Sequence, residues 1–409
     1  MSLEARAAEL DQADELASFR RLFQLPEDVV YLDGNSLGAL PNGVKARVTQ
    51  AIEQEWGQSL IRAWNEYGWV NLPEKLGDRI ARLIGAEKGS VTVGDSTSIS
   101  VFKVLAAALA FNADRKVILS DRGNFPTDLY MAQGLAALKN TGHRLSLVEP
   151  EDVLDAITED VSVLMLTEVD YRTGRRHDMK KLTGLAHQKG VLTIWDLAHS
   201  AGAFPVDLSD AGADFAVGCG YKYLNGGPGA PAFAYVAPSR LHDVKPFLSG
   251  WFGHEAPFAF DLDYRPAEGT TKLRVGTPPV LSLVALDAAL DVFDNADMQE
   301  IQNKSNALSE FFIGEVEALC PDLVLASPRN AQERGSQVSF RHPDGYAIMQ
   351  ALIDKGVIGD FRAPDIIRFG FAPLYVRFAD VAKAVLVLAE ILDSRLWDRD
   401  TYKTRAAVT

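Results

Sequence analysis

Between residues 91 and 236, short apolar runs alternate with longer stretches in which apolar residues recur every three to four positions. The short runs lie at 116–120, 144–148, 161–167, 191–197, 215–219 and 232–236. Helical periodicity is expected near 98–111, 126–138, 178–189 and 239–245, with Gly190 and Gly212 as stop signals. Continuous apolar strands separated by helices predict a mostly parallel sheet covered on both faces. Upstream, the pattern predicts a helix near 3–24, an extended segment at 31–38 and a helix over 41–56. Beyond Pro279 it predicts a long helical stretch over 281–319, strands at 323–326 and 337–341, and helices at 346–355 and 378–395. The expected organisation is an N-terminal helical segment (1–30), a large α/β domain (31–282) and a smaller α+β C-terminal domain (283–409).

Composition narrows the function classes. With 47% hydrophobic and 23% charged residues over 409 positions, disorder and disulfide-stapled mini-protein architectures are excluded. Lys plus Arg (41) minus Asp plus Glu (55) leaves −14, which argues against a nucleic-acid partner while allowing a local anion pocket. Cys219 and Cys320 are the only cysteines, too few for a disulfide framework and without zinc-ligand spacing, so no metal site is expected. The first residues form a charged helical pattern, and no stretch of about 18 apolar residues follows, so a cytoplasmic protein without a membrane partner is expected.

Candidate chemistry gathers at strand ends. In Ile194-Trp195-Asp196-Leu197-Ala198-His199 an acid and an imidazole follow an apolar strand, at the carboxyl end where open α/β sheets bind ligands. Lys222 stands just past the next strand, in the glycine-rich turn Gly220-Tyr221-Lys222-Tyr223-Leu224-Asn225-Gly226-Gly227. A carboxylate and a lysine converging there suit pyridoxal phosphate: the lysine forms a Schiff base and the acid keeps the pyridine nitrogen protonated. Taken singly, Asp196 could be a helix cap, Lys222 a solvated lysine and His199 a structural histidine. Gly94-Asp95-Ser96-Thr97-Ser98 precedes a helical pattern, so Ser96 and Thr97 stand at a helix N-terminus suited to a phosphate, or are an ordinary cap. Asn124-Phe125-Pro126-Thr127-Asp128 opens another helix, with an aromatic able to stack on a planar ring.

The ordered set of motifs resembles the kynureninase family, pyridoxal-phosphate hydrolases of the aspartate-aminotransferase fold class, fold type I. The resemblance runs from Tyr31-Leu32-Asp33-Gly34-Asn35-Ser36-Leu37-Gly38 through Asp95-Ser96-Thr97-Ser98, Asn124-Phe125-Pro126-Thr127-Asp128 and Val169-Asp170-Tyr171-Arg172-Thr173-Gly174. It continues through Trp195-Asp196-Leu197-Ala198-His199, Tyr221-Lys222-Tyr223, Gly250-Trp251-Phe252-Gly253 and Arg368-Phe369-Gly370-Phe371-Ala372-Pro373. It implies hydrolytic Cβ–Cγ cleavage of L-kynurenine to anthranilate and L-alanine. Lys222 would bind the cofactor and remove the Cα proton, Asp196 would meet the pyridine nitrogen, His199 and Asp128 would lie beside the ring, and Phe125 would stack on it. Ser96, Thr97, Tyr221 and Trp251 would serve the phosphate region, with Tyr221 a candidate proton relay. Trp251 and Thr277 would reach the neighbouring subunit's site, which implies a homodimer.

Arg368 sits among apolar neighbours, where a guanidinium fork suits a substrate α-carboxylate or, alternatively, a structural ion pair. Arg362 is a weaker candidate for that role, because it lies in the more polar loop Gly359-Asp360-Phe361-Arg362-Ala363-Pro364. Thr277 and the segment Leu60-Ile61-Arg62-Ala63-Trp64-Asn65 resemble the bacterial branch, which implies kynurenine rather than 3-hydroxykynurenine. Trp64 is a candidate for the aryl pocket, or packs within an amphipathic helix. Competing readings are an aminotransferase, an epimerase, a cysteine desulfurase or a catalytically silent scaffold. Desulfuration needs a thiol on a mobile loop, and both cysteines lie in apolar or helical contexts.

Overall fold

The computed structural model describes residues 1–404. Its central sheet contains β1 (Val91–Val93), β2 (Val117–Asp121), β3 (Arg144–Val148), β4 (Val161–Thr167), β5 (Leu192–Asp196), β6 (Phe215–Cys219) and β7 (Ala232–Val236), in the order β1-β7-β6-β5-β4-β2-β3. All neighbours from β3 to β6 are parallel, and β7 runs antiparallel to both β6 and β1. Alternate residues serve opposite faces. Val163, Met165, Ile194, Val217 and Ala234 pack on helix α1 (Thr97–Phe111), whose Val101, Val104, Leu105 and Leu109 fill one core. Leu164, Leu166, Trp195, Ala216 and Phe233 face the other core, with Leu76, Ile80 and Leu283. Burial on both faces is why these strands read as unbroken apolar runs; edge strand β3 is only partly covered.

Helices α2 (Pro126–Lys139) and α3 (Met179–Gln188) match the periodicity closely. Helix α4 (Val280–Leu290) packs on the larger unit beside Leu76 and Ile80, and the smaller unit carries α5 (Met298–Leu319), α6 (Gly345–Asp354) and α7 (Phe378–Asp393). Its antiparallel sheet is ordered β8 (Val324–Leu325), β9 (Gln337–Arg341), β11 (Ile366–Gly370), β10 (Asp360–Arg362).

Several expected elements are shorter or divided. The helix expected at 3–24 is helical only over Leu3–Gln12, followed by a 3₁₀ turn at Ala17–Leu22. The break is set by tertiary partners: Asp11 accepts the free N–H groups of Phe378 and Ala379 at the start of α7 (2.7 and 3.0 Å), and Asp14 pairs with buried Lys304 at 2.7 Å. The stretch 281–319 is two helices, because Asp297 caps α5 by accepting from Gln299 N at 2.7 Å. The stretch 41–56 is Asn42–Gln50 continued by a wider π turn at Ala51–Trp56, and 239–245 reduces to Pro238–Leu241. The region 359–364, read as a polar loop, contains β10, and β11 was not anticipated.

The N-terminal chain joins the smaller unit before crossing to the larger one. Val30–Tyr31 pairs in parallel with Val357–Ile358, and Gly370 N donates to Leu32 O at 2.7 Å. Gly38 then donates its N–H to Tyr221 O at 2.8 Å, in a space where a Cβ would lie 2.3 Å from Lys222 O. Only glycine lets the 31–38 segment seal against the lysine turn. Among the described residues, no helix is long and apolar enough to cross a membrane.

Candidate functional site

A cavity of ≈ 710 Å³ opens over the carboxyl ends of β5 and β6, within the size range of small-molecule sites. Asp196 is the last residue of β5, and Lys222 follows the end of β6 by three residues, so adjacent parallel strands deliver both to one crevice. Both line the cavity, together with Ser96, Thr97, Ser98, Phe125, Thr127, Asp128 and Tyr221.

Lys222 Nζ is hydrogen-bonded to His199 Nε2 at 2.9 Å and lies 5.8 Å from the ring centroids of both Phe125 and Tyr221. His199 is buried, and burial followed by the positive charges of Lys222 and Arg368 holds its imidazole well below the usual pKa. Its Nδ1 faces Gln337 Oε1 at 3.1 Å.

Asp196 caps no helix; its Oδ1 accepts from Ala198 N at 2.8 Å in a turn. Asp128 is buried beside it, and apart from the carboxyl–carboxyl hydrogen bond with Asp196 neither Asp128 oxygen has a partner. Burial, then the neighbouring Asp196, raises the Asp128 pKa well above the carboxylate range; burial raises that of Asp196 as well. An acid pair in this condition calls for a cation or an N–H donor between it and the open cavity.

Ser96 is the N-cap of α1, its Oγ accepting from Ile99 N at 3.4 Å, which leaves the hydroxyl hydrogen free to donate. Ser98 and Thr127 hydroxyls meet at 3.3 Å on the same wall. Asp95, which would repel an anion, is neutralised by Lys103 Nζ at 2.5 Å. Phe125 is 40% exposed, its ring held edge-on by Tyr171 at 5.1 Å, so a face remains open towards the cavity. Burial raises the Tyr221 phenol pKa, so it keeps its proton across the neutral range.

Arg368 lies on β11 and is fully buried, outside the cavity lining. Its guanidinium donates to Tyr171 O at 2.6 Å and Ser36 Oγ at 2.7 Å, and forms an ion pair with Asp360, its register partner on β10. The ion-pair alternative thus has a physical counterpart. Trp64, Trp251 and Thr277 also lie outside this chain's cavity lining. Trp64 packs on Trp69 and Phe252 at 5.6 and 5.7 Å, and Trp251 stacks on exposed Phe260 at 6.3 Å. Thr277 is exposed on the strip that approaches this cluster through the Phe252 N to Val275 O bond. Arg362, the weaker arginine candidate, pairs with Asp360 at 2.7 Å.

Three residues of the site carry no role in the sequence reading: Ser98 and Thr127, which lie inside the motifs given above, and Gln337, at the start of a predicted strand. Gln337-Val338-Ser339-Phe340-Arg341 alternates polar and apolar residues, so nothing local singles the glutamine out. Both cysteines are buried; Cys219 Sγ donates to Ala198 O at 3.8 Å, and burial raises both thiol pKa values. Neither is a thiolate on a mobile loop, which removes the basis for desulfuration.

The kynureninase C-terminal domain family model matches residues 301–388. A kynureninase of Pseudomonas fluorescens is 53% identical over 407 residues, covering 98% of each chain. One from Burkholderia pseudomallei (strain 1106a) is 51% identical over 416 residues, covering both chains in full. Among solved structures, an Escherichia coli cysteine desulfurase superposes with a TM-score of 0.78 over 93% of this chain and 99% of its own, at 21% identity, a likeness of fold alone.

Proposed function

This chain belongs to the kynureninase family, and from that premise we propose how its own residues carry the family's reaction, the pyridoxal-phosphate-dependent hydrolysis of L-kynurenine to anthranilate and L-alanine. The observation that carries the reading is the convergence of Lys222 and the buried acid pair Asp196 and Asp128 on one cavity. The residues present fit the cofactor: the acid pair offers a partner to a pyridinium N–H, the Phe125 face offers a stacking surface, and the α1 N-terminus with Ser96 and Thr97 offers donors to a phosphate. Held by Lys222, the group supplies an electron sink for charge that develops at Cα and then Cβ.

Lys222 is the base. Lys222 would hold the cofactor and, with substrate bound, its Nζ would take the Cα proton; the 2.9 Å contact with His199 Nε2 keeps that amine within the cavity. Asp196 is the residue that would hold the pyridine nitrogen and favour its protonated form, while Asp128, the more strongly raised of the two acids, retains its proton. Water adds to the γ-carbonyl of kynurenine, and collapse of the hydrate breaks the Cβ–Cγ bond, releasing anthranilate. Tyr221, protonated and lining the cavity, relays a proton to Cβ to complete alanine. Arg368 takes the α-carboxylate with its fork, sharing the guanidinium with Asp360.

Trp251 and Thr277 act in the neighbouring subunit's phosphate region, making the active unit a homodimer. The exposed aromatic cluster of Trp251, Phe258 and Phe260 supports that reading, because it leaves apolar surface that a second copy would cover. Trp64, adjoining this cluster, is assigned to the aryl pocket of the assembled site, and kynurenine rather than its 3-hydroxy form is the preferred substrate. The 282/283 boundary expected from the sequence falls within α4 (Val280–Leu290), one continuous helix. Purified protein given pyridoxal phosphate and L-kynurenine is expected to release fluorescent anthranilate and an equal amount of alanine; release of neither would overturn the assignment.

A further inference from the structure

Gln337 is fully buried at the start of β9, in the smaller unit, yet its amide ends in the larger unit's site. Nε2 donates to two backbone carbonyls of one loop, Asp170 O at 3.2 Å and Tyr171 O at 3.1 Å. That loop is itself rigid. Asp170 Oδ1 accepts from Arg172 N and Thr173 N at 2.7 and 2.9 Å, and Gly174 N donates to Asp170 O at 2.8 Å. Gly174 has φ +74°, and a Cβ there would come within 2.9 Å of Gln337 Cγ, so the turn closes on the glutamine stem.

Two carbonyls at one end decide which way the amide points. Turning it over would set Oε1 against both carbonyl oxygens and leave two acceptors facing a third. Oε1 is therefore held at the other end, 3.1 Å from His199 Nδ1; the Asn35 amide, which fits best with its nitrogen on Asp33 Oδ1 and its oxygen on Arg368 Nε, does not decide the orientation of Gln337. An amide oxygen can only accept, so Nδ1 must carry the hydrogen. On a neutral imidazole the lone pair is then on Nε2, the atom 2.9 Å from Lys222 Nζ.

We propose that Gln337 is a positioning residue for the catalytic lysine: it fixes His199 in the Nδ1–H tautomer, so that Nε2 accepts from Lys222 Nζ and aims the amine into the cavity. Burial beside Lys222 and Arg368 disfavours the imidazolium, which would dispense with the need for a tautomer choice. Because Gln337 belongs to β9, seating the smaller unit on the 170–174 turn and arming the lysine are one event. The functional meaning rests on the assignment of Lys222 above; the tautomer does not.

The test uses cofactor-free protein labelled with ¹⁵N at histidine, read by long-range proton–nitrogen NMR, with the His199 signals identified by their loss in His199→Asn. The wild type is expected to show a protonated Nδ1 and a bare Nε2; a protonated Nε2 in the wild type overturns the proposal. Gln337→Met keeps the length of the side chain but removes its acceptor. It is expected to shift His199 mainly to Nε2–H and to slow uptake of pyridoxal phosphate by Lys222 about tenfold, as loss of one buried hydrogen bond implies. A folded Gln337→Met with an unchanged tautomer overturns the proposal. Should that variant not fold, Gln337→Glu decides, since it retains an acceptor and is expected to keep Nδ1–H; a protonated Nε2 there counts against the proposal. Failure to cleave kynurenine with the tautomer as expected would instead bring down the reaction assignment and leave the role of Gln337 standing.

Discussion

Asp360 and Arg368 face each other in register on adjacent antiparallel strands, and their ion pair is buried beneath the 31–38 segment and the 170–174 turn. A guanidinium placed there without a partner would be costly, and Asp360 offsets that cost before any substrate arrives. On the proposed reading, substrate binding and structure draw on one side chain. Arg368→Lys keeps the charge and loses the fork, so KM for kynurenine is expected to rise about 10–100-fold with a smaller change in kcat. Steady-state kinetics on the folded variant check this. A variant with lowered stability and an unchanged KM would make Arg368 purely structural.

Asp33 answers to the same pair. Burial and the nearby Asp360 push its carboxyl pKa up to about 6, against the partial attraction of Arg368 at 3.9 Å. A carboxyl raised on folding favours the native state fully below its unfolded pKa, and that contribution is lost as pH rises through 6. Asp33→Asn, which cannot ionise, is therefore expected to match the wild type near pH ~4 and to exceed its stability near pH ~8, by up to about 3 kcal/mol. Urea unfolding at the two pH values measures the difference. Equal stability of the two proteins at the higher pH would refute the strained carboxylate.

Subunit exchange tests the shared site. Lys222→Ala and Trp251→Ala homodimers are each expected to be inactive, one for want of its lysine and the other of its phosphate-side ring. Unfolded together and refolded, they should regain roughly a quarter of wild-type activity, since half of randomly paired dimers carry one intact site of two. No recovery, with mixed dimers present by mass, would place Trp251 outside its neighbour's site.

The α/β core was legible because burial on both faces of β4, β5 and β6 writes itself as continuous apolar runs, and because Asp196 and Lys222 interrupt that pattern at strand ends. What stayed hidden depends on partners distant in the chain. His199 and Gln337 are 138 residues apart, and no local pattern links an imidazole to a strand-initial glutamine. β10 was masked by the charges of Asp360 and Arg362, which read as a loop until Arg368 is seen to neutralise the buried member. The N-terminal helix was overextended for a similar reason: its periodicity persists past Gln12, but Asp11 and Asp14 are committed to α7 and Lys304.

The central claim is that Lys222 is both the cofactor's attachment point and the base that starts the cleavage. Lys222→Ala, purified and supplied with pyridoxal phosphate, should retain the fold by circular dichroism and bind the cofactor without the visible absorbance of a lysine-bound imine. It should also release no anthranilate from L-kynurenine. A Lys222→Ala protein that keeps that absorbance, or that still produces anthranilate at a rate near the wild type, would contradict the account.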